Sequence, residues 1–126
     1  MKKMTREWVK KAEDDFLAAE LLAKGKDLFP DQVCFHCQQS AEKYLKALLE
    51  EQGLHVPKIH DLIRVLDLLR ETFPVLVPLT RGLEVLSDFA VDSLYPGDRM
   101  TKRQAAAALR WAEKVRTACR TLLGLR

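Results

Sequence analysis

VCFHCQQSAEKYLKALLEEQ, residues 33–52, decides the fold. It holds no Pro or Gly, and Val33, Cys37, Ala41, Tyr44, Leu45, Leu48 and Leu49 recur at steps of three and four. That period lays them along one stripe of an α-helix. Gln39, Glu42, Lys43, Lys46 and Glu50 fall largely outside the stripe. Glu42 and Lys46 have the spacing and the order of a favourable surface ion pair. Gly53 tolerates a left-handed cap and Pro57 cannot continue the ladder, so both mark the helix stop. The stretch is expected to be the central helix of a bundle.

The segments around it carry the same period. Thr5 is the expected N-cap of a first helix that runs to about Lys24 and is ended by Gly25. Trp8, Ala12, Phe16, Ala19 and Ala23 form its apolar face, widened by Val9 and Leu22. Residues 24–31 are a short connection, as in an antiparallel helix pair, and Pro30 suits the first turn of the next helix. Beyond the central helix, residues 53–59 read as a loop. A third helix follows on Leu62, Val65, Leu66 and Leu69, with Ile63 and Leu68 beside the stripe and His60 or Asp61 as its cap. Pro74 and Pro78 break the chain. A shorter fourth helix covers residues 79–91, with Leu79, Leu83, Leu86 and Ala90 on one side and Gly82 as an awkward interior residue. DSLYPGDRM, residues 92–100, is a polar turn around Pro96 and Gly97. Thr101 and Gln104 then make a capping box for a last helix packed through Ala108, Trp111, Ala112, Val115, Ala118, Cys119 and Leu122. No stretch reads as a strand. The expected fold is all-α, an up-and-down bundle of about five helices in one domain spanning residues 1–126.

A chain of 126 residues is long enough to bury roughly two-thirds of its unfolded surface. Its 48% apolar and 31% charged composition is that of a soluble globular protein. No apolar run approaches the ~20 residues needed to span a bilayer, so no membrane association is expected. The opening MKKMTREWVKKAEDD has no apolar signal core. Three cysteines do not make a disulfide framework, and a reducing cytoplasm is the expected setting. The net charge of +3 is unevenly spread: residues 27–98 hold six Lys or Arg against twelve carboxylates, a net of −6. Residues 99–126 hold eight against Glu113 alone, a net of +7. Such a bias marks either an anion-binding surface or a basic helix packed beside acidic ones.

Several residues bear on chemistry. Cys34 and Cys37 form a Cys-x-x-Cys around His36, but redox motifs of that type sit beside a sheet, and zinc needs two more ligands. Buried packing thiols explain the pair more simply. No metal or cofactor is expected. His60 precedes Asp61 at a helix start, where it either binds a phosphate or serves as a cap. Lys43 and Lys46 lie within one helical turn and either hold a phosphate or face solvent. Tyr95, Asp98 and Arg99 lie in the turn before the last helix, where Tyr95 and Arg99 either clamp a base or phosphate or simply pack. Lys43, Lys46, His60, Tyr95 and Arg99 are therefore the candidate nucleotide- or anion-binding residues.

FHCQQSAEKYLKALL, then KIHDLIRVLDLL, then LYPGD resembles the HEPN family, the higher eukaryotes and prokaryotes nucleotide-binding domain. WVKKAEDDFLAAELL is similar to the family's first helix, so the likeness covers nearly the whole chain. The run from Gln38 to Lys43 is its most specific part. The family's small-residue positions fall at Cys34 and Cys37, in keeping with packing roles. The resemblance implies a helical bundle that pairs as a homodimer. It also implies nucleotide binding, or work beside a small nucleotidyltransferase, in some cases as a toxin–antitoxin module. A distinct set of HEPN proteins are metal-independent ribonucleases with an Arg-x(4–6)-His motif at a dimer interface. Here no Arg stands at that spacing before His36, His55 or His60, and the family's Arg-Tyr-Pro block reads Leu94-Tyr95-Pro96. The expectation is a non-catalytic HEPN protein. Two alternatives are a ribonuclease using His60 with Arg64 or Arg99, and a nucleic-acid-binding module using Arg103, Arg110 and Lys114.

Overall fold

Five α-helices and one 3-10 turn follow each other in a computed structural model that describes residues 1–97 and 99–126. They are α1 (Lys3–Lys24), α2 (Pro30–Glu51), α3 (Leu62–Asp67), the 3-10 turn Pro74–Leu79, α4 (Thr80–Ser93) and α5 (Lys102–Leu122). No strand occurs among the described residues. Asp98, in the expected turn, lies outside them.

The central position of α2 follows from its apolar stripe. It packs most extensively on α1, then on α5 and α4, and also touches α3. Val33, Cys37, Ala41, Tyr44, Leu45, Leu48 and Leu49 are all buried. Around them lie Phe16 of α1, Leu62 and Leu66 of α3, Leu83 and Leu86 of α4, and Val115 of α5. Pro30 sits in the first turn of α2, where its missing N–H costs nothing. Gly53 adopts φ +71°, the left-handed conformation that ends a helix. Leu54 N–H then reaches the Leu49 carbonyl and Gly53 N–H the Glu50 carbonyl, a Schellman closure.

Two caps stand where the residues place them. Asp61 Oδ1 accepts from the N–H groups of Ile63 and Arg64 at the start of α3. Thr101 and Gln104 form the reciprocal capping box of α5, at 3.0 and 2.8 Å.

The expected break at Pro74 and Pro78 is there, as a 3-10 turn, and three other expectations need correction. Thr5 is not an N-cap: α1 begins at Lys3, and the Thr5 hydroxyl, buried, donates to Glu51 at 2.9 Å and ties the start of α1 to the end of α2. Leu68 does not flank the core stripe but is half exposed, while Leu69 next to it is buried. Glu42 and Lys46 are not a surface pair: each is only 4% exposed.

Gly82 has a positive reason to be glycine. A Cβ at that position would enter the indole ring of Trp111. Gly82 is the flat spot that lets α4 and α5 close on each other through a large aromatic ring.

Candidate functional site

The buried polar face of α2 is where side chains of opposite charge converge. Its hub is the carboxylate of Glu42. Lys46, one turn on, reaches Glu42 Oε2 at 3.0 Å. Gln38, one turn back, donates to Glu42 Oε1 at 3.1 Å. The His60 Nδ1 lies 3.1 and 3.2 Å from the two carboxylate oxygens. A carboxylate accepts only, so the tautomer consistent with this geometry carries its proton on Nδ1. Gln38, Glu42 and Lys46 are almost wholly buried, whereas the His60 side chain is 78% exposed.

The same side chains seize the loop between α2 and α3. Lys46 donates to the Ile59 carbonyl at 2.8 Å, and Gln38 donates to the His60 carbonyl at 3.0 Å. Gln39 in turn donates to Gln38 at 2.8 Å. Two consecutive backbone carbonyls that no helix can satisfy are thereby met by side chains from α2. The Lys46 ammonium also lies 5.9 Å from the centre of the Trp8 ring, a cation–π approach from α1. With two hydrogen bonds made and an indole beside it, this ammonium has little donor capacity left for a ligand.

A second cluster joins α1 and α2. Asp15 accepts from Lys43 at 2.6 Å and meets His36 Nδ1 at 2.8 Å. A third joins α1, α2 and α5. Arg116 grips both oxygens of Glu13 at 2.6 and 2.7 Å, a bidentate fork. The Tyr44 hydroxyl donates to Glu13 at 2.5 Å, and Arg120 donates to that hydroxyl at 3.3 Å. The Arg116 guanidinium holds the Glu13 carboxyl below the usual carboxylate range, and Tyr44 and Arg120 add to the effect. Burial, then the bond to Glu13, pushes the Tyr44 phenol up to about 12. Part of the basic last helix is thus spent inside the bundle on an acidic neighbour.

The candidate residues therefore divide. Lys46 and His60 come together on Glu42. Lys43 is held apart by Asp15. Tyr95 is 69% exposed in the connection to α5. Arg99 donates to the Leu28 carbonyl at 3.2 Å, while Asp31 accepts from the Met100 N–H at 2.8 Å, so this connection is stapled to the start of α2. His60 and Arg64 open on different depressions. His60 lines a groove between α2 and α4, and Arg64 lines a hollow with His55 and Pro57. On α5, Arg103, Arg110 and Lys114 are exposed, and Lys114 lies 4.8 Å from the Trp111 ring centre.

The thiols are packing groups. Cys34, Cys37 and Cys119 are fully buried and unpaired. Burial, with a contribution from Asp31, pushes the Cys34 thiol up to about 12, and burial raises the other two as well. None is poised as a thiolate nucleophile at neutral pH.

Two residues with central roles escape the sequence reading: Glu42 as the hub, and Asp15 as the shared partner of His36 and Lys43. The run from Gln38 to Lys43 was the signal for the first. Nothing local marks the second, because its partners lie 21 and 28 residues away.

Comparison with known proteins agrees with this architecture. A family profile described as HEPN domain matches residues 5–122. The structure is similar to the crystal structure of TT1696 from Thermus thermophilus, with a TM-score of 0.83 at 24% identity. The match covers 95% of this chain and 98% of that one, and at this identity it speaks for the fold alone. No curated protein matches.

Proposed function

We propose that this chain, which belongs to the HEPN family, is a non-catalytic HEPN-domain protein that pairs with a second copy and binds a small nucleotidyltransferase, a nucleotide, or both. A place in a two-component module of the toxin–antitoxin kind belongs to the same reading.

The observation that carries it is the state of the side chains a nucleic-acid-cleaving site would need. General acid–base catalysis at a phosphate needs a histidine free to exchange protons and a cation aimed at the developing charge. His36 is tied to Asp15, and His60 meets Glu42 through Nδ1 and keeps its other ring nitrogen exposed, so what the described residues do not bring to it is a cation aimed at a phosphate. Arg99 holds a backbone carbonyl, and Arg64 opens on another hollow. Lys46 is engaged in fastening the loop between α2 and α3. The most family-like block of the sequence thus works as a clamp, which supports a binding role for the surface around it.

The test combines light scattering and calorimetry. The chain alone is expected at twice its 14.4 kDa monomer mass. Mixed with the product of a neighbouring minimal nucleotidyltransferase gene, it is expected to form a stable complex, or to release heat on titration with a nucleoside triphosphate. A monomer giving neither complex nor heat removes the proposal.

A further inference from the structure

The groove between α2 and α4, closed at one side by the start of α3, holds about 800 Å³ and opens to solvent. Its two ends differ in chemistry. Along α4, Glu84 and Asp88 come first and Val91 and Leu94 after them; Asp61, His60 and Phe35 also line the groove. Val91 is 55% and Leu94 66% exposed, with Phe35 beside them at 36%. Single exposed apolar residues are ordinary, but here three line one concavity. Glu84 and Asp88 are one turn apart on α4, and among the described residues neither takes part in an ion pair. Like charges at that spacing repel slightly, so a cation placed between them would relieve as well as attract.

We infer that this groove seats a cationic amphipathic helix of a partner protein. The inference deepens the partner-binding part of the function proposed above and rests on it. From Glu84 to Leu94 is ten residues of sequence, about 15 Å at helical rise, which is three turns of a docked helix. The matching helix carries two Lys or Arg one turn apart at one end and apolar side chains over the other two turns. A nucleotide or nucleic acid fits this groove poorly, because its phosphates would face Glu84 and Asp88. The basic α5 of a second copy would match it poorly, because the exposed residues of α5 are charged, threonine or alanine. They would meet the carboxylates and leave the apolar end unfilled.

The test uses the whole chain and a synthetic alanine-based peptide about 15 residues long, the length at which a helix becomes marginally stable alone. The peptide carries the two lysines at one end and the leucines at the other, and is made in both orders. A second version carries glutamates in place of the lysines. By fluorescence anisotropy, the lysine peptide is expected to bind and to weaken about tenfold or more in the Glu84→Lys, Asp88→Lys double variant. The glutamate peptide is expected to bind that variant in its place. No binding of the lysine peptide, or binding indifferent to the charge reversal, overturns the inference. A dimer of the unmodified chain that the same reversal splits assigns the groove to a second copy and overturns it too. The peptide measurement needs no nucleotidyltransferase, so its failure leaves the earlier proposal standing, and failure of that proposal leaves the peptide result intact.

Discussion

Glu42 shows how a single carboxylate can organise a family-like block of sequence. Buried, its carboxyl group is met by Lys46, Gln38 and His60. Removing one partner leaves the other charge stranded in the interior, the costliest way to break such a pair. Lys46→Ala should therefore destabilise the protein by about 3–5 kcal/mol in urea denaturation. The apolar double replacement Glu42→Leu, Lys46→Met should cost much less than the single change, because no charge is left uncompensated. Equal losses in the two variants would contradict this reading of the pair. The Glu13–Tyr44 contact gives a pH signature. Glu13 is held low in the folded state, so its stabilisation is complete above about pH 4.5 and is lost as pH falls through the lowered value. Tyr44 is held high, so its stabilisation is complete below about pH 10 and is lost as pH rises through about 12. Tyr44→Phe should cost about 1 kcal/mol near neutral pH and flatten the alkaline limb of the urea midpoint plotted against pH.

At the scale of elements, Gly82 and Trp111 decide how α4 meets α5. In a solvated helix Gly→Ala stabilises by up to about 1 kcal/mol. Here the added methyl must displace an indole, so Gly82→Ala should destabilise by about 1–3 kcal/mol. Trp111→Leu should reduce that penalty in the double variant, read as non-additivity of the thermal midpoints. The cap of α5 makes a smaller prediction: Thr101→Ala should cost about 1 kcal/mol. The helices themselves were legible because their apolar residues follow one period, and Pro30, Asp61 and the Thr101–Gln104 box were legible because their signals are local. Gly82 read as a weakness because its reason lies 29 residues further on. Thr5 misled for the same cause, since its partner Glu51 is 46 residues away. Glu42 and Lys46 misled differently: an i, i+4 ion pair looks the same in sequence whether water or a loop covers it.

For the molecule as a whole, the uneven charge has two fates. Some of the basic C-terminal helix is consumed inside, Arg116 on Glu13. Its exposed arginines, and the exposed carboxylates of α4, remain on the surface, where they bear on partners rather than on the fold. No helix among the described residues is long and apolar enough to cross a membrane. What brings Gln38, Glu42, Lys46 and His60 together is the packing of α2 and the return of the loop after it, which the residue types alone did not disclose. This cluster fastens a loop, and the function proposed from it is one without RNA cleavage. Cleavage of cellular RNA by the unmodified chain and by His60→Ala tests it most directly: the account predicts that neither cleaves, and cleavage by the unmodified chain that disappears in His60→Ala would contradict it.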